Sequence, residues 1–177
     1  KWNITREESD EVAVRSHNNA EAATKSGRFT DEIVPVVIPG KKGEQKTVER
    51  DEHIRMGLTL DEVKKLRPVF RKDGIVTAAS ASGINDGAAA MVVMSFRKAR
   101  ELGLTPLAKL GDYAVAGVEP NYMGEGPIPA TKKLFEKSSY ALADVGLIEM
   151  NEAFAAQYIA CERGIGTCTA ETGTSGQ

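Results

Sequence analysis

The sequence is poor in the residues that mark several large classes of protein. Its 177 residues include two cysteines, and aromatic residues make up 6% of the chain. Two cysteines are too few for a disulfide framework or a cysteine-based metal site, so we expect a reduced, cytoplasmic setting and no bound metal. A chain of this length can form one ordinary domain or two small ones, and a hydrophobic fraction of 41% allows only a modest core.

Neither the charge nor the hydropathy points to nucleic acid or to a membrane. The chain carries 23 basic and 25 acidic side chains, for a formal net charge of −2, which offers no attraction for a polyanion. No apolar run approaches the roughly 20 residues that a membrane-spanning helix needs. The chain begins inside a charged, helix-like segment, which indicates a piece of a longer protein without a secretory signal. We therefore expect no nucleic acid and no membrane as partners.

Capping residues and apolar periodicity predict alternating helices and strands. Thr5, followed three residues later by Glu8, has the pattern of a capping box and predicts a helix from Thr5 to Gly27. Thr59 is predicted to be the N-cap of a short second helix at 60–66. Further helices are predicted at 96–102, 130–137 and 152–163. Strands are predicted at 32–38, 46–48, 88–94, 107–118 and 145–150, and the apolar run at 88–94 suits a strand buried on both faces. The alternation predicts an α/β fold.

Three segments hold residues that could do chemistry. MNEAFAAQ at 150–157 follows a predicted strand and opens a predicted helix, which is where α/β proteins bind ligands. Asn151 there is either a helix N-cap or an amide that holds a water or an oxyanion in a cleft. SASGINDGAAA at 80–90 lets backbone or ligand approach closely, or is a plain turn before a strand. MGEGP at 123–127 by itself indicates a connecting loop.

Together these segments resemble the thiolase family. NEAFAAQ at 151–157, SGINDGAAA at 82–90 and MGEGPIPA at 123–130 occur in the family's order. The resemblance continues through ITREESDEVAVRSH at 4–17, GRFTDEIVPV at 27–36 and DEHIRMGLTLDEVKKLRPVF at 51–70, and it covers residues 4–166. The asparagine at 151 is the form found in biosynthetic and degradative thiolases.

The resemblance implies an incomplete thiolase-like α/β fold. Residues 1–84 would be part of the loop domain that covers the active site. Residues 85–105 would end the N-terminal half of the family's fold, and residues 106–166 would begin its C-terminal half. The polar tail at 167–177 does not resemble the family, and we expect it to be disordered.

The resemblance also implies acyl transfer between coenzyme A thioesters, with no further cofactor. Two acetyl-CoA would condense to acetoacetyl-CoA, or thiolysis would run the reaction backwards. In such enzymes one cysteine thiolate becomes acylated, a second cysteine removes a proton from acetyl-CoA, and a histidine activates the nucleophile. The parent enzyme would be a homo-oligomer, a dimer or a tetramer.

Several residues of this chain match positions with roles in the family. Asn151 resembles the asparagine that positions a water in the oxyanion hole for the enolate. Ser82 resembles the serine that contacts the pantetheine arm. Arg55 resembles a basic residue near the nucleotide of CoA, although it also reads as a solvated surface charge. Met123 and Phe154 resemble residues that line the acyl and pantetheine pocket.

Other family residues have no counterpart in these 177 residues. The nucleophilic cysteine of the family lies upstream of any segment that resembles Lys1, and neither a Gly-His-Pro nor a Cys-X-Gly-Gly-Gly segment follows NEAF. His17 and His53 are interpreted as surface histidines. Cys161 is interpreted as a small buried residue, and Cys168 is not assigned to catalysis because no glycine run follows it.

The missing residues predict a fragment that is inactive by itself. Two alternatives stay open: a non-catalytic CoA-binding or interaction module, and a structural remnant that binds no ligand. CoA binding by the isolated chain would separate these two.

Overall fold

The computed structural model describes residues 1–167, and these residues fall into two compact units. The first unit contains residues 1–83 and 151–160, and the second contains residues 84–150 together with the chain from 161 onward. The predicted disordered tail lies outside the described residues from 168 onward. Thr167 is described, and its N–H donates to the carbonyl of Glu162 at 3.1 Å.

The first unit is organised around the long helix α1, Arg6–Lys25. Its predicted capping box is confirmed: the Thr5 hydroxyl accepts the N–H of Glu8, and the Glu8 carboxylate accepts the N–H of Thr5 at 2.8 Å. These two bonds satisfy donors that the first helical turn would otherwise leave unpaired. Beyond the helix, Gly27 has a φ of +76°, a conformation that glycine adopts without steric cost.

Arg6 joins α1 to the short helix α2, Leu60–Val63. Its guanidinium donates to the carbonyl of Val63, the last residue of α2, and to that of Leu66, three residues beyond it, at 2.9 and 3.0 Å. Its Nε donates to the buried carboxylate of Asp10 at 2.8 Å. The predicted N-cap at Thr59 is confirmed as a second capping box.

Two clusters of apolar residues, packed on adjacent faces of α1, form the core of the first unit. One cluster contains Ala13, Leu58, Val63 and Ala79. The other contains Val12, Ala155 and Ile159. Because neighbouring residues of α1 serve different clusters, this helix packs against both the 58–79 region and the NEAF region.

Ser9 is a buried polar residue of α1 without a hydrogen-bond partner for its Oγ among the described residues. Burying an unpaired hydroxyl is unfavourable, so we expect Ser9→Ala to raise the free energy of unfolding by about 1 kcal/mol. Urea denaturation measures this. As the matched control, Ser16→Ala removes a hydroxyl that donates to the Glu152 carboxylate and should lower stability. A lower stability for Ser9→Ala would show that its hydroxyl has a favourable contact.

The first unit also contains a small antiparallel hairpin. Strand β1, Val36–Pro39, pairs with β2, Gln45–Val48, and Val36 lies opposite Val48. A short 3₁₀ turn, Lys41–Gly43, connects them. Both strands were expected from the sequence, although β1 begins later than the predicted 32–38.

The second unit contains helix α3, Phe96–Glu101, and helix α4, Pro127–Lys137. It also contains two 3₁₀ helices, Pro120–Glu125 and Leu142–Asp144. Helix α5, Ala155–Ile165, begins in the first unit, and its residues from 161 onward belong to the second. Among the described residues, no helix combines the length and apolarity needed to cross a bilayer.

The strands predicted at 88–94, 107–118 and 145–150 are wrong for this chain. Within residues 1–167 these segments form no ladder, and the first is exposed rather than buried, with Met91 at 83% and Val92 at 85%. Apolar patterning reports that a segment prefers burial, but a strand also needs a neighbour to accept its backbone hydrogen bonds. The described residues supply no such neighbour for these segments.

Candidate functional site

A buried hydroxyl pair fixes the turn that leads to Ser82. The N–H of Thr77 donates to Ser80 Oγ at 2.9 Å, and the N–H of Ala79 donates to Thr77 Oγ1 at 3.3 Å. Both hydroxyl residues are buried. Side-chain bonds of this kind replace backbone pairing in a turn. They orient the chain so that Ser82, at the exit of the turn, is exposed.

The exit of this turn pairs with the NEAF segment. The N–H of Ser82 donates to the carbonyl of Ala153, and the N–H of Ala155 donates to the carbonyl of Ser80, both at 2.9 Å. Ala81 and Phe154 form an isolated antiparallel bridge between these bonds. Two motifs separated by about seventy residues of sequence are thus held edge to edge, a pairing that sequence spacing did not predict.

Asn151 lies at the exposed start of the NEAF segment. Helix α5 begins at Ala155 rather than at the predicted Glu152, so the residue before its first turn is Phe154. The interpretation of Asn151 as a helix N-cap is therefore wrong. Its side chain is available for a role other than capping.

Phe154 contributes an apolar surface next to Ser82. Its ring meets the ring of Phe70 edge to face, with centroids 6.3 Å apart and an interplanar angle of 69°. Edge-to-face contact is a favoured arrangement for aromatic pairs. Phe70 is exposed, and the sequence analysis did not assign it to the site.

Arg55 lies on the 51–58 loop, which rests on α1. The backbone N–H of Arg55 donates to Nδ1 of His17 at 3.2 Å, and the N–H of Gly57 donates to the Glu21 carboxylate at 2.5 Å. The Arg55 residue is exposed, so its guanidinium projects from a backbone that α1 holds in place.

His17 is half-buried, so its interpretation as a surface histidine is wrong, whereas His53 is exposed as expected. Burial lowers the pKa of His17 below its ordinary value, and the positive charges of His53 and Arg55 lower it further. A backbone bond with Ala79 and the Glu152 carboxylate act in the opposite direction. The sequence signal that we missed is the spacing of four residues from buried Ala13 to His17, which places both on one face of α1.

A cavity of about 140 Å³ lies between α1, the 77–82 turn and the NEAF segment. Apolar residues of its lining are Val12, Ala13 and Ala155. The polar residues of its lining are Ser16, His17, His53, Ser80, Ser82 and Glu152. Four of the five predicted site residues, Ser82, Phe154, Asn151 and Arg55, belong to this same unit.

Met123 belongs to the second unit, in the 3₁₀ helix Pro120–Glu125, and is exposed. The adjoining loop is tied to α5 by Cys161, whose thiol donates to the carbonyl of Gly124 at 3.3 Å. Cys161 is fully buried, so its interpretation as a small buried residue is confirmed.

Comparison with known proteins identifies the class of protein that this fold and site define. The family model described as thiolase, N-terminal domain, matches residues 1–97, and the model described as thiolase, C-terminal domain, matches residues 104–176. The chain belongs to the thiolase family.

Curated relatives share about half of the aligned residues. The acetyl-CoA acetyltransferase of Paracoccus denitrificans is 55% identical over 166 residues, which is 94% of this chain and 42% of that protein. The acetyl-CoA acetyltransferase of Cupriavidus necator is 52% identical over 176 residues, which is 99% of this chain and 45% of that protein. The chain thus spans less than half the length of these relatives.

Solved structures show a partial thiolase fold. The Bacillus anthracis acetyl-CoA acetyltransferase superposes with a TM-score of 0.90 at 51% identity, covering 93% of this chain and 42% of that one. Human mitochondrial 3-ketoacyl-CoA thiolase superposes with a TM-score of 0.85 at 44% identity, covering 92% of this chain and 41% of that one. The predicted thiolase-like, incomplete fold is confirmed.

Proposed function

We propose that this chain is part of a thiolase-type acyltransferase that condenses two acetyl-CoA to acetoacetyl-CoA or catalyses the reverse thiolysis. The observation that supports this most is the pairing of residues 80–82 with residues 153–155 through two backbone bonds of 2.9 Å. It joins the segment of Ser82 to the segment of Asn151. A thioester-binding serine and an oxyanion-stabilising amide need this kind of fixed spacing.

The proposed roles follow from the interaction that each side chain can offer to CoA. The N–H of Ser82 is used by Ala153, so its exposed hydroxyl is the group left to contact the amides of pantetheine. Phe154 offers an apolar wall for the thioester arm. Arg55 offers a cation for a phosphate of the nucleotide, the strongest class of hydrogen bond available at an exposed position.

The cavity beside Ser82 would hold only part of the ligand. Its volume of about 140 Å³ is well below the roughly 300–1,000 Å³ of a pocket that encloses a drug-sized molecule. In our proposal the narrow arm of CoA approaches Ser82, and the nucleotide stays outside, near Arg55. Met123 is proposed to line the acyl pocket.

We also propose the division of the chain into a loop-domain part at 1–84, the end of one half at 85–105 and the start of the other at 106–166. The reaction would need no cofactor beyond the CoA thioesters. The intact enzyme would be a homo-oligomer in the cytoplasm. We propose that these residues alone do not turn over substrate, because no segment of the sequence resembles the family's nucleophilic-cysteine segment or its Gly-His-Pro segment.

CoA binding by the chain tests the proposal. We expect Arg55→Ala to weaken CoA binding about tenfold, since a hydrogen bond to a charged group contributes about 1.5 kcal/mol or more. Isothermal titration calorimetry measures the dissociation constant. Arg71→Ala is the control, because Arg71 is also an exposed loop arginine of the first unit and pairs with Asp73 at 3.6 Å.

The outcome separates the remaining alternatives. CoA binding that needs Arg55 and Ser82 but not Arg71 supports a retained CoA site. Equal losses in Arg55→Ala and Arg71→Ala would indicate non-specific attraction of an anion to surface charge. No binding by the wild-type chain would favour a structural remnant.

A further inference from the structure

Three residues on one face of α1 hold the 55–58 loop. Ala13 packs in the same core cluster as Leu58. One turn further, His17 accepts the N–H of Arg55, and one turn beyond that, Glu21 accepts the N–H of Gly57. Residues four apart lie above one another on a helix, so these contacts form a continuous track. The loop is fastened by one apolar contact and two backbone hydrogen bonds.

His17 lies between two segments that carry predicted site residues. Nδ1 accepts the N–H of Arg55 at 3.2 Å, which requires a ring nitrogen without a proton. A neutral imidazole with this acceptor carries its proton on Nε2. His17 also lines the same cavity as Ala79, Ser80 and Ser82. The imidazole therefore holds the Arg55 loop on the side of α1 that faces the Ser82 turn.

We propose that His17 is a positioning residue that holds the Arg55 loop beside the Ser82 turn for CoA while its imidazole is neutral. The inference rests on the proposed CoA-binding function of Arg55 and Ser82. His17 acts through these residues and need not touch the ligand.

The surroundings of His17 make protonation disruptive. A protonated Nδ1 would point a second N–H at the N–H of Arg55, so this bond would be lost. The new positive charge would lie beside the ring of His53, whose centroid is 5.9 Å away, and near Arg55. The NEAF segment contributes one opposing carboxylate, Glu152, which already accepts the Ser16 hydroxyl. The 77–82 turn contributes no charged side chain.

The sign of the pH effect follows. Because the pKa of His17 is lowered in the folded chain, the contribution of its neutral form is complete above the ordinary pKa of about 6.5 and is lost as pH falls through the lowered value. Glu21 behaves differently: bonds from Lys25 and from the Gly57 N–H lower the pKa of its carboxyl, so it stays ionised. Lowering the pH therefore breaks the hydrogen bond of the Arg55 N–H to His17 and leaves the bond of the Gly57 N–H to Glu21 intact.

The first test is CoA binding by the chain between pH 8 and pH 5.5. The phosphates of CoA titrate in this range as well, so each variant is compared with wild type at the same pH. His17→Gln keeps an acceptor that cannot be protonated. We expect this variant to bind CoA as tightly as wild type at pH 8 and about fivefold more tightly than wild type at pH 5.5. His17→Ala should bind about fivefold more weakly than wild type at pH 8. His53→Gln removes a charge that lowers the pKa of His17, so this variant should keep the pH dependence and shift its midpoint to higher pH.

The second test does not involve CoA. Hydrogen exchange followed by NMR gives protection factors for the amides of Arg55 and Gly57 in the wild-type chain. Protection of Arg55 should fall between pH 8 and pH 5.5 and stay constant in His17→Gln, while protection of Gly57 should stay constant in both. A chain that binds no CoA but shows this exchange pattern would contradict the proposed function and support the positioning role.

The opposite result overturns the inference. If Arg55 keeps its protection in the wild-type chain at a pH where NMR shows the His17 ring to be protonated, or if His17→Gln and wild type have the same ratio of affinities down to that pH, His17 has no positioning role. Circular dichroism at each pH establishes that the variants remain folded, and His17→Gln is preferred to His17→Ala because it preserves side-chain volume.

Discussion

Purified from a host without background activity, these 177 residues should show no measurable thiolysis of acetoacetyl-CoA. The reaction needs a reactive thiolate, and Cys161 is fully buried in α5 with its thiol bonded to the carbonyl of Gly124. A buried thiol is not accessible to a thioester substrate, and structural buried cysteines are unreactive. Loss of a catalytic nucleophile costs about a million-fold in turnover where the catalytic residues act as a unit.

The measurement is the loss of acetoacetyl-CoA in the presence of free CoA. Cys161→Ser and Asn151→Ala serve as controls, because any residual rate from a contaminant is the same for both variants and for wild type. Turnover that follows the purified chain through chromatography and disappears in Asn151→Ala would contradict the prediction. It would mean that these residues contain a nucleophile that neither the sequence nor the structure identifies.

The second large effect concerns Asn151, measured in a full-length protein that contains these residues. We expect Asn151→Ala and Asn151→Asp to lower kcat by about a hundred- to a thousand-fold, the usual effect of removing one oxyanion-hole donor. Asn151→Asp should be at least as severe, since it places an anion beside a developing enolate. Because α5 begins at Ala155, neither variant removes a helix cap, so the melting temperature should change little.

Thiolysis rate and thermal unfolding, measured on the same preparations, separate catalysis from folding. Asn18→Ala is the control, an exposed asparagine of α1 in the same unit. A near-normal rate for Asn151→Asp would exclude the oxyanion role. A large drop in melting temperature without a change in kcat would assign Asn151 to structure instead, through contacts other than a cap.

Local features of the fold were predictable because their causes are local. A capping box needs only a hydroxyl and a carboxylate three residues apart, and the box predicted at Thr5 forms in the structure. The N-cap predicted at Thr59 forms as well, and Glu62 completes it as a second box. The strands β1 and β2 were likewise expected from short spans of sequence, although their pairing was not predicted. For the same reason the start of α5 was misplaced: Asn151 is a favourable capping residue, but pairing of residues 153–155 with residues 80–82 keeps the chain extended until Ala155.

The site was predictable only through resemblance to a family. Nothing in the residues around Ser82 or Asn151 indicates that the two segments pair, because the hydrogen bonds are made by backbone groups that every residue has. His17 was misinterpreted because a histidine among polar neighbours usually reads as solvated. Its burial depends on the 51–58 loop and the 77–82 turn, which are distant in sequence. The three strands that do not form show the same limit, since a ladder depends on its neighbour.

The exposed apolar run around Met91 and Val92 has a consequence for how the chain behaves in solution. Association of two such surfaces is favourable by about 25 cal/mol for each Å² of apolar area removed from water. Encounter rises with the square of protein concentration, whereas folding within one chain does not depend on it. Dilution therefore reduces self-association of the chain. In a cell or a concentrated sample, the exposed segment is expected to bind chaperones or other chains with uncovered extended segments.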